Sequence, residues 1–87
     1  MRPITIPAEV MARQVSDETV LLHLASGNYY SLDPVGTRFW QLLTEGKSFA
    51  QARDALLAEY EVTPEQLASD LDRLVAELAA GGLVQLG

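Results

Sequence analysis

The chain has 87 residues, close to half of them hydrophobic, with a formal net charge of −6 and no cysteine. This length fits one small domain, so we expect residues 1–87 to form a single folded unit. The lack of cysteine excludes disulfides, thiolate metal sites and a cysteine nucleophile, and it favours a reducing cytoplasm. The acidic balance disfavours a nucleic-acid partner, whose phosphates require basic side chains, and no apolar run is long enough to span a membrane.

The first third of the chain predicts antiparallel strands. Residues 2–7 alternate weakly and predict either a short extra strand or a loose arm. Residues 10–15 predict a first strand, and Ser16-Asp17-Glu18 predicts a turn. Residues 19–25 predict a clearer strand, in which one face carries Val20, Leu22 and Leu24 and the other carries Leu21 and His23. Gly27-Asn28 predicts a two-residue hairpin turn into a further strand over residues 29–32.

Three helices are predicted next, each with its own start signal. Asp33-Pro34 is an N-cap followed by proline at the first helical position, and the helix it starts extends to about residue 44. Ser48 to Gln51 is a capping-box pattern for the second helix. Thr63-Pro64 starts the third helix, and Gly81-Gly82 ends it. Residues 83–86 are consistent with a short final strand.

Strands followed by helices, rather than strands alternating with helices, indicate an α+β fold. A three-stranded antiparallel β-meander needs a cover for its apolar face, and three α-helices can supply it. The arrangement predicted is therefore winged-helix-like. Trp40 lies beside the apolar stripe of the first helix, where we expect it at the margin of the core.

The strand over residues 29–32 is the first candidate for a binding surface. Its residues Tyr29, Tyr30, Ser31 and Leu32 include no lysine or proline, the usual guards of a sheet edge. At an edge, its backbone groups would be free to pair with an added peptide strand. The alternative is ordinary cross-strand packing, which tyrosine and leucine also favour.

The third helix is the second candidate. Asp70, Arg73 and Glu77 share a helical face beside Leu71 and Leu74. This spacing predicts a polar lip on a groove, in which a carboxylate accepts a hydrogen bond from a ligand hydroxyl or amide. The alternative is a solvated face with weak charge pairs along the helix.

Catalysis finds little support, because His23 is the only histidine and no nucleophile, phosphate loop or metal-binding motif accompanies it. We therefore expect no enzymatic activity, no cofactor and no metal. A winged-helix fold makes DNA binding a hypothesis to consider. The helix that would enter the DNA groove, residues 63–80, has four acidic residues, however, and Arg73 is its only basic residue. That charge would be repelled by phosphates.

Residues 20–36 (VLLHLASGNYYSLDPVG), followed by Phe39-Trp40-Gln41-Leu42-Leu43, resemble the PqqD-like proteins. These are recognition elements that bind leader peptides of ribosomally synthesised, modified peptides (RiPPs). The resemblance begins near Glu9 and continues to Val84. It implies a leader bound as an added antiparallel strand on the third strand and against the third helix, where both candidate surfaces lie.

Within this family the chain looks most like the stand-alone leader-binding proteins of lasso-peptide biosynthesis. That likeness implies a non-enzymatic protein, a precursor leader of the Tyr-x-x-Pro type, and two partner enzymes: a leader peptidase and a macrolactam cyclase. The alternatives are a peptide chaperone of pyrroloquinoline quinone synthesis, a winged-helix DNA-binding regulator, and a domain that dimerises through the same edge.

Overall fold

The computed structural model describes residues 3–87, so the predictions for residues 1 and 2 lie outside the described part. The elements in chain order are β1 (Ile4–Thr5), β2 (Val10–Val15), β3 (Glu18–His23), β4 (Tyr29–Leu32), α1 (Pro34–Thr44), α2 (Phe49–Glu59), α3 (Pro64–Ala80) and β5 (Gln85–Leu86). In residues 3–87, no helix has both the length and the apolar composition to cross a membrane.

Strands β2, β3 and β4 form an antiparallel sheet in that order, which leaves β4 at one edge and β2 at the other. The three helices follow, so the predicted α+β, winged-helix-like arrangement is confirmed. Strand β1 pairs with β5 in a second, two-stranded antiparallel sheet. Of the two predictions for residues 2–7, the short strand is therefore the one observed.

The connection between β3 and β4 differs from the predicted two-residue turn. The His23 N–H donates to the Asn28 carbonyl, and the Gly27 N–H donates to the His23 carbonyl, both at 2.8 Å. Residues 24–28 therefore lie between the strands, and β3 ends at His23, two residues before its predicted end at Ala25. Ser26 closes the loop by donating its N–H to His23 Nδ1 at 3.2 Å, and Gly27 takes a left-handed φ of 79° that glycine adopts without strain.

All three helix starts are as predicted, because each cap satisfies backbone donors that have no partner within the helix. The Asp33 carboxylate accepts the N–H of the residue three positions on, at 2.7 Å. Ser48 and Gln51 bond reciprocally as a capping box. The Thr63 hydroxyl accepts an N–H in the same way at 3.1 Å.

Two buried clusters hold the molecule together. The first lies among the three helices and contains Phe39, Leu42, Leu43, Ala52, Leu56, Leu67, Leu71 and Val75. The second joins the sheet to α1, α3 and the C-terminal segment and contains Leu21, Leu32, Trp40, Leu78, Leu83 and Val84. Trp40 is 4% exposed and sits inside the second cluster, so its expected place at the margin is wrong. Helix α3 contributes to both clusters, which fixes it beside β4.

Candidate functional site

Strand β4 presents an open backbone edge. Residues facing each other in an antiparallel pair alternate between bonded and non-bonded positions. His23 and Asn28 form a bonded position, so Tyr30 and Leu32 bond to β3 at the next two, opposite Leu21 and Thr19 in the register. Tyr29 and Ser31 therefore direct their N–H and C=O groups away from β3, toward the edge.

The side chains of β4 also alternate, between the face of the sheet that packs on the helices and the outer face. Tyr30 and Leu32 face the helices, and Leu32 is 3% exposed. Tyr29 faces the outer side of the sheet opposite Leu22, and the residue is 74% exposed. Tyr29 can therefore serve a ligand on the groove side through its backbone, while its ring points away.

A groove of about 430 Å³ runs between β4 and α3. Eight of the nine residues predicted for the site line it: Tyr30, Ser31, Leu32, Asp70, Leu71, Arg73, Leu74 and Glu77. Tyr29 is the ninth and does not line it. The structure thus brings the predicted strand and the predicted helix face to one place.

Sequence reasoning missed several lining residues. They are Asp33, Val35, Gly36, Tyr60, Glu61, Val62 and Leu67. Tyr60, Glu61 and Val62 belong to the short connection before α3, which has no periodicity that could have marked it. Leu67 lies one turn before Leu71 on the same stripe, so helical spacing was a signal that could have found it.

At one end of the groove, a hydrogen bond joins its two walls. The Tyr30 hydroxyl donates to Glu77 Oε1 at 2.9 Å, joining β4 to α3. Burial and this hydrogen bond raise the pKa of Tyr30. A tyrosine hydroxyl is protonated at neutral pH, and the raised pKa keeps this one a donor to Glu77 into more alkaline solution.

Asp70 lies further along the same helix face. Its Oδ1 accepts from Gln66 Nε2 at 2.9 Å and from an Arg73 guanidinium nitrogen at 3.3 Å. Both bonds go to the same oxygen. An ionised carboxylate has about four acceptor positions on its two oxygens, so Oδ2 retains the capacity to bind a donor from a ligand.

His23 is remote from the groove. It is half-buried beside Gly82, and its Nδ1 accepts the Ser26 N–H of the β3–β4 loop. This contact gives the histidine a structural part in closing the loop. Within residues 3–87, no three His, Cys, Asp or Glu side chains cluster as a metal site would require.

The fold and the groove define a winged-helix-like domain with an open strand edge beside an apolar, acid-rimmed groove. A family model described as coenzyme PQQ synthesis protein D (PqqD) matches residues 18–84. This chain belongs to the PqqD family, as its resemblance predicted. No curated protein matches it significantly.

Two solved structures are similar over nearly the whole chain. One is described as TbiB1 in complex with the TbiA(beta) leader peptide; it is 41% identical, has a TM-score of 0.87, and the match covers 93% of this chain and 94% of that one. The other is described as lasso peptide synthetase B1 complexed with the leader peptide. It is 29% identical, with a TM-score of 0.83 and coverage of 95% of this chain and 98% of that one.

Proposed function

We propose that this protein binds the leader of a ribosomally synthesised precursor peptide as an added strand on β4, against α3. The observation that carries the proposal is the open edge of β4, which lies directly beside an apolar groove on α3. The two similar structures support it, since both were solved with a leader peptide.

The binding mode follows from the two alternations in β4. The N–H and C=O groups of Tyr29 and Ser31 bond to the backbone of the leader, which supplies affinity without reading its sequence. Every second leader side chain then points into the groove. An aromatic ring there lies on Leu71 and Leu74, and a tyrosine hydroxyl donates to Asp70 Oδ2.

The protein itself performs no chemistry in this proposal. It presents the bound leader to a leader peptidase and a macrolactam cyclase in the cytoplasm. Holding the precursor raises its effective concentration at those enzymes. The likeness to a protein described as lasso peptide synthetase B1 supports this assignment.

Calorimetry with the TbiA(beta) leader peptide tests the proposal. We expect a Kd near micromolar, which corresponds to about −8 kcal/mol. A negative heat-capacity change should accompany binding, because apolar surface is buried. A scrambled peptide of the same composition is the control, and equal affinity for both peptides would contradict the proposal.

A second candidate is a peptide chaperone of pyrroloquinoline quinone synthesis, which the description of the family model favours. The 41% identity to TbiB1 over nearly the full chain favours the lasso assignment. Titration of the protein with the TbiA(beta) leader and, separately, with a pyrroloquinoline quinone precursor peptide distinguishes the two candidates. The lasso assignment predicts tighter binding of the TbiA(beta) leader, and the second candidate predicts tighter binding of the other peptide.

A further inference from the structure

The rim of the groove has an excess of negative charge. Four carboxylates line it, from Asp33, Glu61, Asp70 and Glu77, whereas Arg73 is the only cationic side chain in the lining. Arg73 lies 3.3 Å from Asp70 and offsets that charge. Arg73 forms no ion pair with the other three carboxylates of the lining, of which Asp33 accepts an N–H at the start of α1 and Glu77 accepts the Tyr30 hydroxyl.

We propose that the groove selects leader peptides that carry lysine or arginine next to their apolar anchor. This inference rests on the proposed function and adds the charge of the ligand to it. The apolar residues of the groove accept the anchor, and the acidic rim favours basic neighbours over acidic ones. Complementary charge across an interface contributes mainly to specificity and to the rate of association.

The carboxylates lie toward opposite ends of the groove. Leu67 and Leu71 pack in the same cluster as Val35 and Val62, so the start of α3 lies near the start of α1. Asp33 immediately precedes α1, and Glu61 lies in the connection just before α3. Glu77 lies at the other end, bonded to Tyr30.

This arrangement predicts where the basic residues belong. A strand antiparallel to β4 has its N-terminal part beside Leu32, the last residue of β4. Leader residues that precede the anchor therefore pass Asp33 and Glu61. We expect the basic residues on the N-terminal side of the anchor.

Three synthetic peptides test the inference. They share one Tyr-x-x-Pro core and differ only in the two residues before the tyrosine, which are Lys-Lys, Gln-Gln or Glu-Glu. Fluorescence anisotropy with the full chain should rank them in that order. Exposed charge pairs each change affinity by about two- to fivefold, so the Lys-Lys and Glu-Glu peptides should differ by about tenfold or more. High salt should reduce the difference.

Two matched variants separate the groove from the overall charge of the chain. Glu61→Gln removes a carboxylate of the groove and should reduce the preference for the Lys-Lys peptide about twofold. Asp72→Asn removes the same charge from an exposed position on α3 that does not line the groove, and it should leave the preference unchanged.

Equal binding of the three peptides would overturn the inference and leave the proposed function standing. An equal effect of Asp72→Asn and Glu61→Gln would also overturn it, because net charge alone would then explain the preference. Failure of all three peptides and of the TbiA(beta) leader to bind would contradict the proposed function, and this inference with it.

Discussion

Ser31→Pro should weaken the affinity for the leader while leaving the fold intact. Ser31 faces Val20 at a non-bonded position of the β3–β4 pair, so its N–H points to the open edge. Proline is tolerated in edge strands where the N–H faces solvent. The substitution therefore removes a donor that the leader needs and that β3 does not use.

The magnitude follows from the bond lost. An intramolecular hydrogen bond contributes about 0.5–1.5 kcal/mol net, and about 1.4 kcal/mol corresponds to a tenfold change in affinity. The bond alone thus accounts for about a fivefold loss. The pyrrolidine ring also occupies space that the leader carbonyl would enter, so we expect a total loss of about tenfold or more.

The assay is a titration of the TbiA(beta) leader with a thermal melt of each variant. Ser31→Ala keeps the N–H and should bind like the parent. Ala12→Pro makes the same change at an outward-facing position of β2, the opposite edge, and should also bind like the parent. Parental affinity for a folded Ser31→Pro, or an equal loss with Ala12→Pro, would refute the reasoning.

Three further variants test the groove, and a fourth tests the structural role of His23. Asp70→Ala should weaken binding about tenfold. A hydrogen bond to a charged group contributes about 1.5–3 kcal/mol, and the lower end applies because this side chain is partly exposed. The melting temperature of the variant should equal that of the parent. Leu74→Ala should lower both affinity and melting temperature, since Leu74 lines the groove and packs against both buried clusters. Tyr30→Phe should cost about 0.5–1.5 kcal/mol of stability. The pKa of Tyr30 is raised, so this contribution is present below the ordinary tyrosine pKa and is lost as pH rises through the raised one; a urea titration at several alkaline pH values measures it. His23→Ala should leave pathway turnover nearly unchanged, and a large loss with binding intact would contradict a structural role.

Signals that act over a few residues made the helices predictable. Each cap needs only a side-chain oxygen and an N–H three residues later, as at Asp33, Ser48 and Thr63. The unguarded strand and the polar face of α3 could also be found from their own residues. Strand β4 and helix α3 both line the groove. Neither sequence pattern, taken by itself, indicates that the two elements lie side by side.

Features that depend on tertiary contacts were harder to predict. The β3–β4 connection is longer than Gly27-Asn28 suggests, and its Asn28 side chain donates to the Gly81 carbonyl at 3.2 Å, a contact between residues far apart in the sequence. Alternation in β3 separated two faces, but only packing shows that the Leu21 face is buried and the Val20 face exposed. Glu61 joins the groove because α2 and α3 bring their connection beside α1, which no local pattern reports.

Amide hydrogen exchange tests the central claim, strand addition to β4, most directly. In the free protein the amides of Tyr30 and Leu32 are already protected by β3, whereas those of Tyr29 and Ser31 point to the edge. Saturation with the TbiA(beta) leader should slow exchange at Tyr29 and Ser31 and leave the outward amide of Ala12 on β2 unchanged. Protection at Ala12 without protection at Tyr29 and Ser31 would contradict the account.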